Sequence, residues 1–115
     1  MHTVFKGLAY MAWIYLILAG LFEIGWPVGL KMAQVPESRI SGIVIAIACI
    51  GISGLLLWLA QKQIPLGTSY AVWTGIGAAG TFLVGIMFYG DVARVGRYLG
   101  IILIIGGVVT LKLAH

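Results

Sequence analysis

Four long apolar runs, separated by three short polar stretches, account for nearly all of the chain. The runs cover about residues 10–31, 40–60, 67–89 and 98–113, each close to the roughly 20 residues a helix needs to cross the hydrocarbon of a bilayer. The stretch 33–39 carries Pro36, Glu37 and Ser38, 61–66 carries Lys62 and Pro65, and 90–97 carries Asp91, Arg94 and Arg97. Proline, glycine and clustered polar residues punctuate helices, so these stretches read as turns. The pattern predicts an all-α integral membrane protein with four transmembrane helices. They form one domain over residues 11–115, behind an N-terminal extension over residues 1–10. A cleaved signal peptide fits poorly, because the first run is long enough to span and three more follow it.

Composition narrows the function. Hydrophobic residues make up 62% of the 115 residues and charged ones 9%, with mean hydropathy +1.12, whereas soluble domains carry about 25% charge. These residues leave no room for a soluble catalytic or nucleotide-binding domain. The formal net charge is +4, but the basic residues are scattered over helix ends and form no nucleic-acid patch. Cys49 is the single cysteine, which rules out an intrachain disulfide, and His2 and His115 stand at opposite termini, so no metal cluster is expected. Gly75, Gly77 and Gly80 match the GxGxxG spacing of dinucleotide sites, but that motif needs a strand before it and a βαβ unit around it. Inside a membrane helix, Gly75 and Gly77 read as a point where the helix can bend or as a groove for a neighbour. No nucleophile–base pair or phosphate loop stands outside the apolar runs. The chain is not read as an enzyme and no cofactor is expected.

One residue breaks the apolar pattern. Between Leu8 and Leu30 the strongly ionisable side chain is Glu23, close to the midpoint of the first run. A charge at that depth costs about 2.5–3.5 kcal/mol on insertion scales, so such residues face a protein interior or a wet cavity. Glu23 therefore reads as a binding site for a proton, a cation, or each in turn. The structural alternative is a protonated acid tying two helices together. Pro27, four residues on, has no N–H to give the Glu23 carbonyl and presses on it. It is either a tolerated membrane-helix proline or a kink that opens space beside the carboxylate. Gly25 and Gly29 have the spacing of a close helix contact. Ser53 reads as a helix residue bonded to its own backbone or as a site residue. Tyr70, Trp73 and Thr74 share a helical face. An aromatic pair is often an interface belt, but Trp73 lies about two turns into its run. The fourth run is aliphatic, with Gly96, Gly100 and Gly107 suited to helix–helix association.

Four spans place Lys6, Lys62 and Lys112 on one side of the membrane and Lys31, Arg39, Arg94 and Arg97 on the other. Orientation follows the lysine and arginine excess of cytoplasmic loops, and three against four scarcely decides it. The chain can thus insert either way up. Two opposed copies pairing about an axis in the membrane plane would have the inverted symmetry of many transporters, with a midplane site between the halves. That pairing brings two copies of Glu23 together.

From Met11 onward the chain resembles the small multidrug resistance transporters, and closely their guanidinium-exporter subtype. The resemblance is carried by Met11-Ala-Trp13, by Gly20-Leu-Phe-Glu-Ile-Gly-Trp26 with Gly29-Leu-Lys31, by Pro65-Leu-Gly-Thr-Ser-Tyr-Ala-Val-Trp-Thr-Gly-Ile-Gly77, and by the Gly100 to Gly107 ridge. Trp26 and the Trp-Thr-Gly-Ile-Gly string point to the guanidinium subtype. Pro27 stands where the family has a small residue. The resemblance implies an antiparallel, dual-topology homodimer in a bacterial inner or plasma membrane, with one shared site. Glu23 would bind substrate and proton competitively, and Trp26 and Ser53 would hydrogen-bond and orient the carboxylates. Tyr70 and Trp73 would line the site, and Gly100 and Gly107 would pack the fourth helices of two copies together.

The expected function is proton-coupled antiport that exports guanidinium and small guanidinyl cations. A carboxylate accepts the paired N–H groups of planar guanidinium side by side, and aromatic faces attract the cation, worth about 2 kcal/mol or more once desolvated. Burial disfavours a charged carboxylate and a second one nearby disfavours it further. The pair would hold protons and titrate as one unit, exchanging them for the cation. Within the same family, the alternative is a broad exporter of quaternary ammonium compounds, against which Trp26 argues by narrowing the pocket and offering a donor such a cation cannot use. Outside it, the alternatives are a non-transporting structural membrane subunit and a cation channel with downhill, proton-independent flux.

Overall fold

Each apolar run forms one helix in the computed structural model, which describes residues 2–114. These are α1 (His2–Met32), α2 (Arg39–Ala60), α3 (Leu66–Tyr89) and α4 (Val95–Ala114), with a 3₁₀ turn at Pro36–Ser38 between the first two. All four are long and apolar enough to cross a membrane. The protein is a multi-pass membrane protein. Three of the helices begin within three residues of the bounds read from the sequence. α1 starts earlier, because no proline interrupts the segment ahead of the first span and Gly7 costs only about 1 kcal/mol against alanine. Its 31 residues extend about 46 Å at 1.5 Å per residue, well beyond the roughly 30 Å of hydrocarbon.

The turns supply what the helix ends lack. The Ser38 hydroxyl donates to the Met32 carbonyl at 2.7 Å and the Arg39 Nε to the Ala33 carbonyl at 3.2 Å, adding side-chain donors where α1 ends. α3 stops at Gly90, whose φ of +67° is left-handed, and the next N–H, of Asp91, returns to the Gly85 carbonyl at 3.0 Å. At the membrane side shared by the second turn and the C-terminus, the Lys62 ammonium lies 4.5 Å from the Trp58 ring and Lys112 lies 5.3 Å from that of Trp13. Amphipathic rings and long basic side chains suit this depth.

Small residues set the helix spacing. A Cβ on Gly29 would stand 2.7 Å from the Gly42 carbonyl oxygen and 2.8 Å from the Ala46 nitrogen, so α1 and α2 meet backbone to backbone. Gly25 faces Cys49 in the same seam. α1 also packs on α3, and α4 packs mainly on α3, with Lys112 reaching the Trp13 ring of α1. The buried cluster of Ala12, Leu16, Ala60, Ile64 and Val72 gathers near one end of the bundle. No residue of α4 is buried. The molecule measures 54 × 34 × 18 Å, its shortest dimension close to two helix diameters of about 10 Å each.

Candidate functional site

Glu23 is half-buried and lies against α3 at Gly77, where a Cβ would come 2.6 Å from the Glu23 Cγ. The missing side chain of Gly77 is what lets α3 approach the acid. One turn beyond Glu23 on α1, the Trp26 indole N–H donates to Glu23 Oε1. The two residues are three apart, so they share a face of the helix. The donor lies on the same element as the acid and needs no second helix to place it.

Across the groove, Ser53 of α2 is 1% exposed. Its hydroxyl donates to the Ala19 carbonyl of α1 at 2.7 Å and accepts the Trp73 indole N–H at 2.8 Å. Ser53 thus bonds neither its own helix nor, in this conformation, the carboxylate. It joins α2 to the turn of α1 below Glu23 and fixes the ring of Trp73. Tyr70 stacks on Trp73 at a centroid distance of 5.4 Å and a tilt of 53° and is 56% exposed.

These side chains surround a cleft of about 640 Å³, with Glu23, Trp26 and Pro27 on one wall, Ser53 on a second, and Tyr70, Trp73, Thr74, Gly77 and Thr81 on a third. No lysine or arginine is among the described residues that line it. A carboxylate there has an indole donor on one oxygen and nothing of opposite charge. Burying an unpaired charge is costly unless a partner of opposite charge or further donors cover it. The arrangement suits a small cation with N–H donors and a flat apolar face.

Glu23, Trp26, Pro27, Ser53, Tyr70, Trp73, Thr74 and Gly77, all singled out in the sequence, line this one cleft. Gly75 does not. A Cβ there would meet Val108 Cγ2 of α4 at 2.5 Å, so it spaces α3 from α4, and α3 runs unbroken past both glycines. Gly100 and Gly107 lie on open surface, where a Cβ meets nothing within 4 Å. Thr81 was not anticipated. It lines both the main cleft and a second cavity of about 190 Å³ toward Lys31 and Asp91. Its spacing of seven from Thr74, two helical turns on one face, was the available signal.

Fold and site together define a small four-helix membrane protein with a half-buried acid at mid-span facing an uncharged cleft. Residues 11–104 match the family model described as Small Multidrug Resistance protein. Similar proteins named guanidinium exporter include those of Yersinia pseudotuberculosis, 46% identical over 104 residues (90% of this chain, 99% of the relative), Salmonella typhimurium, 45% identical (90% and 98%), and Proteus vulgaris, 44% identical (90% and 99%). The chain belongs to the small multidrug resistance family. Its relatives bear the name of an exporter and not of an enzyme.

Proposed function

We propose that this protein exports guanidinium and small guanidinyl cations across the bacterial inner membrane in exchange for protons, as a dimer of two oppositely inserted copies. The observation that carries the reading is the Glu23 carboxylate with the Trp26 indole on one oxygen, in a cleft lined by aromatic faces and no basic residue. The free oxygen can take an N–H of a planar cation, and Trp73 and Tyr70 offer it faces. The names of the relatives, at about the same identity across nearly their whole length, agree with that substrate.

The dimer is supported by what one copy leaves open. The cleft has the volume for much more than one small cation, Tyr70 at its edge is more than half exposed, and α4 presents Gly100 and Gly107 on a bare surface. A second copy inverted in the membrane would close the cleft with its own Glu23 and seat the two α4 helices together. Two carboxylates in one dry site cannot both stay charged without cover. Protons entering from outside then displace the cation that leaves, while Gly75 and Gly77 give α3 the freedom to bend as the two copies exchange conformations.

Purified protein in liposomes should take up guanidinium against its gradient when a pH difference is imposed, and reverse when the difference is reversed. Glu23→Gln should abolish both directions. Uptake surviving that change would remove the acid from the mechanism. A bulky quaternary ammonium that competes as well as guanidinium would instead make the protein a broad cation exporter.

A further inference from the structure

Pro27 belongs to the wall of the main cleft and to that of the second cavity, so the two spaces meet beside it. It stands within α1, four residues after Glu23, where an α-helix directs the N–H of one residue at the carbonyl four before it. Proline has no such hydrogen. In the same register the N–H of Val28 belongs to Ile24. The Glu23 carbonyl, which points along the helix toward residue 27, thereby loses its usual helical donor. The carboxylate of that same residue has Oε1 engaged by Trp26, and Glu23 and Pro27 both line the cleft. A buried carbonyl without a donor carries a cost until something supplies one.

We infer that Pro27 is a specificity-determining residue: by removing the helical donor it turns the Glu23 backbone carbonyl into a second acceptor for the substrate, so that a planar N–H-bearing cation is held by a carboxylate oxygen and a main-chain oxygen of the same residue. This rests on the proposed export of guanidinium and adds a discrimination mechanism to it. A cation without N–H groups gains nothing from the carbonyl. A cation with three donor nitrogens can use the carboxylate and the carbonyl together. Thr81, on the facing helix where the two cavities join, bounds the same spot.

The test compares guanidinium with tetramethylammonium on the full-length protein and on Pro27→Ala, which restores the N–H. Guanidinium dissociation constants should rise about tenfold, the loss of roughly one charge-assisted hydrogen bond, with tetramethylammonium within twofold of wild type. Equal weakening of both cations would make Pro27 a shaping residue only, and no change in either would also overturn the inference. Should Pro27→Ala misassemble, the unmutated backbone remains testable. The chain has two glutamates, Glu23 and Glu37. With backbone carbonyls of glutamate labelled with carbon-13 in a Glu37→Gln background, saturating guanidinium should shift the Glu23 amide band to lower frequency while tetramethylammonium leaves it in place. An unmoved band under saturating guanidinium refutes the carbonyl contact. Wild-type protein that binds no guanidinium at all refutes the proposed function itself, which separates the two failures.

Discussion

The indole of Trp26 reaches Glu23 because both project from the same face of α1 one turn apart, so the acid carries its donor with it whatever α2 and α3 do. Trp26→Phe keeps an apolar ring and deletes the N–H. The expected result is a preference for guanidinium over a bulky quaternary cation reduced about tenfold, on the order of one hydrogen bond to a charged group, with normal extraction and assembly. Competition binding on the purified variant reads it, and unchanged preference would reduce Trp26 to packing. Gly77 is the complementary case on α3. In Gly77→Ala the new methyl falls 2.6 Å from the Glu23 Cγ, so the acid must move or the helices part, and overpacking of this kind costs about 1–3 kcal/mol. Cation binding should weaken for guanidinium and quaternary ammonium alike, which distinguishes it from Trp26→Phe in the same assay. The acid and its donor were legible in the sequence because both depend on spacing within one helix and on a lone charge in an apolar run. The partners of Ser53 were not. Its bonds to Ala19 and Trp73 cross between helices 34 and 20 residues away, and no local pattern specifies which carbonyl a buried hydroxyl will meet.

Between elements, the α1–α2 seam is held by the absence of side chains. Gly29 and Gly42 each face main-chain atoms of the other helix, so a methyl on either cannot be accommodated by turning a rotamer. Gly29→Ala is therefore expected to destabilise the protein by about 1–3 kcal/mol, whereas Gly51→Ala on α2, where a Cβ meets nothing within 4 Å, should be neutral or slightly stabilising. Denaturant titration in detergent micelles, followed by circular dichroism, compares the two, and equal stabilities would mean the seam is looser than its geometry. The helices themselves were readable because lipid demands long apolar runs with satisfied backbones. Gly25 and Gly29 announced a close contact, but not its partner, since GxxxG spacing says how near another helix can come and not which one. The early start of α1 was hidden for another reason. Hydropathy marks where a span enters lipid and is silent on whether the helix stops there.

At the scale of the whole molecule, the proposed inverted pair requires a charge distribution that permits both orientations. Lys6, Lys62 and Lys112 on one side nearly balance Lys31, Arg39, Arg94 and Arg97 on the other, so neither orientation is strongly favoured. If the working unit needs both orientations, forcing one should disable it. The triple change Gln61→Lys, Gln63→Lys and Arg94→Gln makes the count five to three in favour of the first side, and Lys62→Gln with Gln34→Lys makes it two to five. Gln34 and Gln63 are exposed and Gln61 is half-exposed at a turn, so none of these replacements buries a charge. Reporter fusions at the C-terminus should show opposite fixed orientations for the two variants. Each produced alone should give cells little guanidinium tolerance and liposomes little uptake, because copies of one orientation cannot bring their Glu23 carboxylates into a common cleft. Produced together they should recover most of the unmodified activity. Full activity from one variant whose orientation is shown to be uniform would mean that the functional unit is parallel or a single copy, and the inverted pair would have to be abandoned.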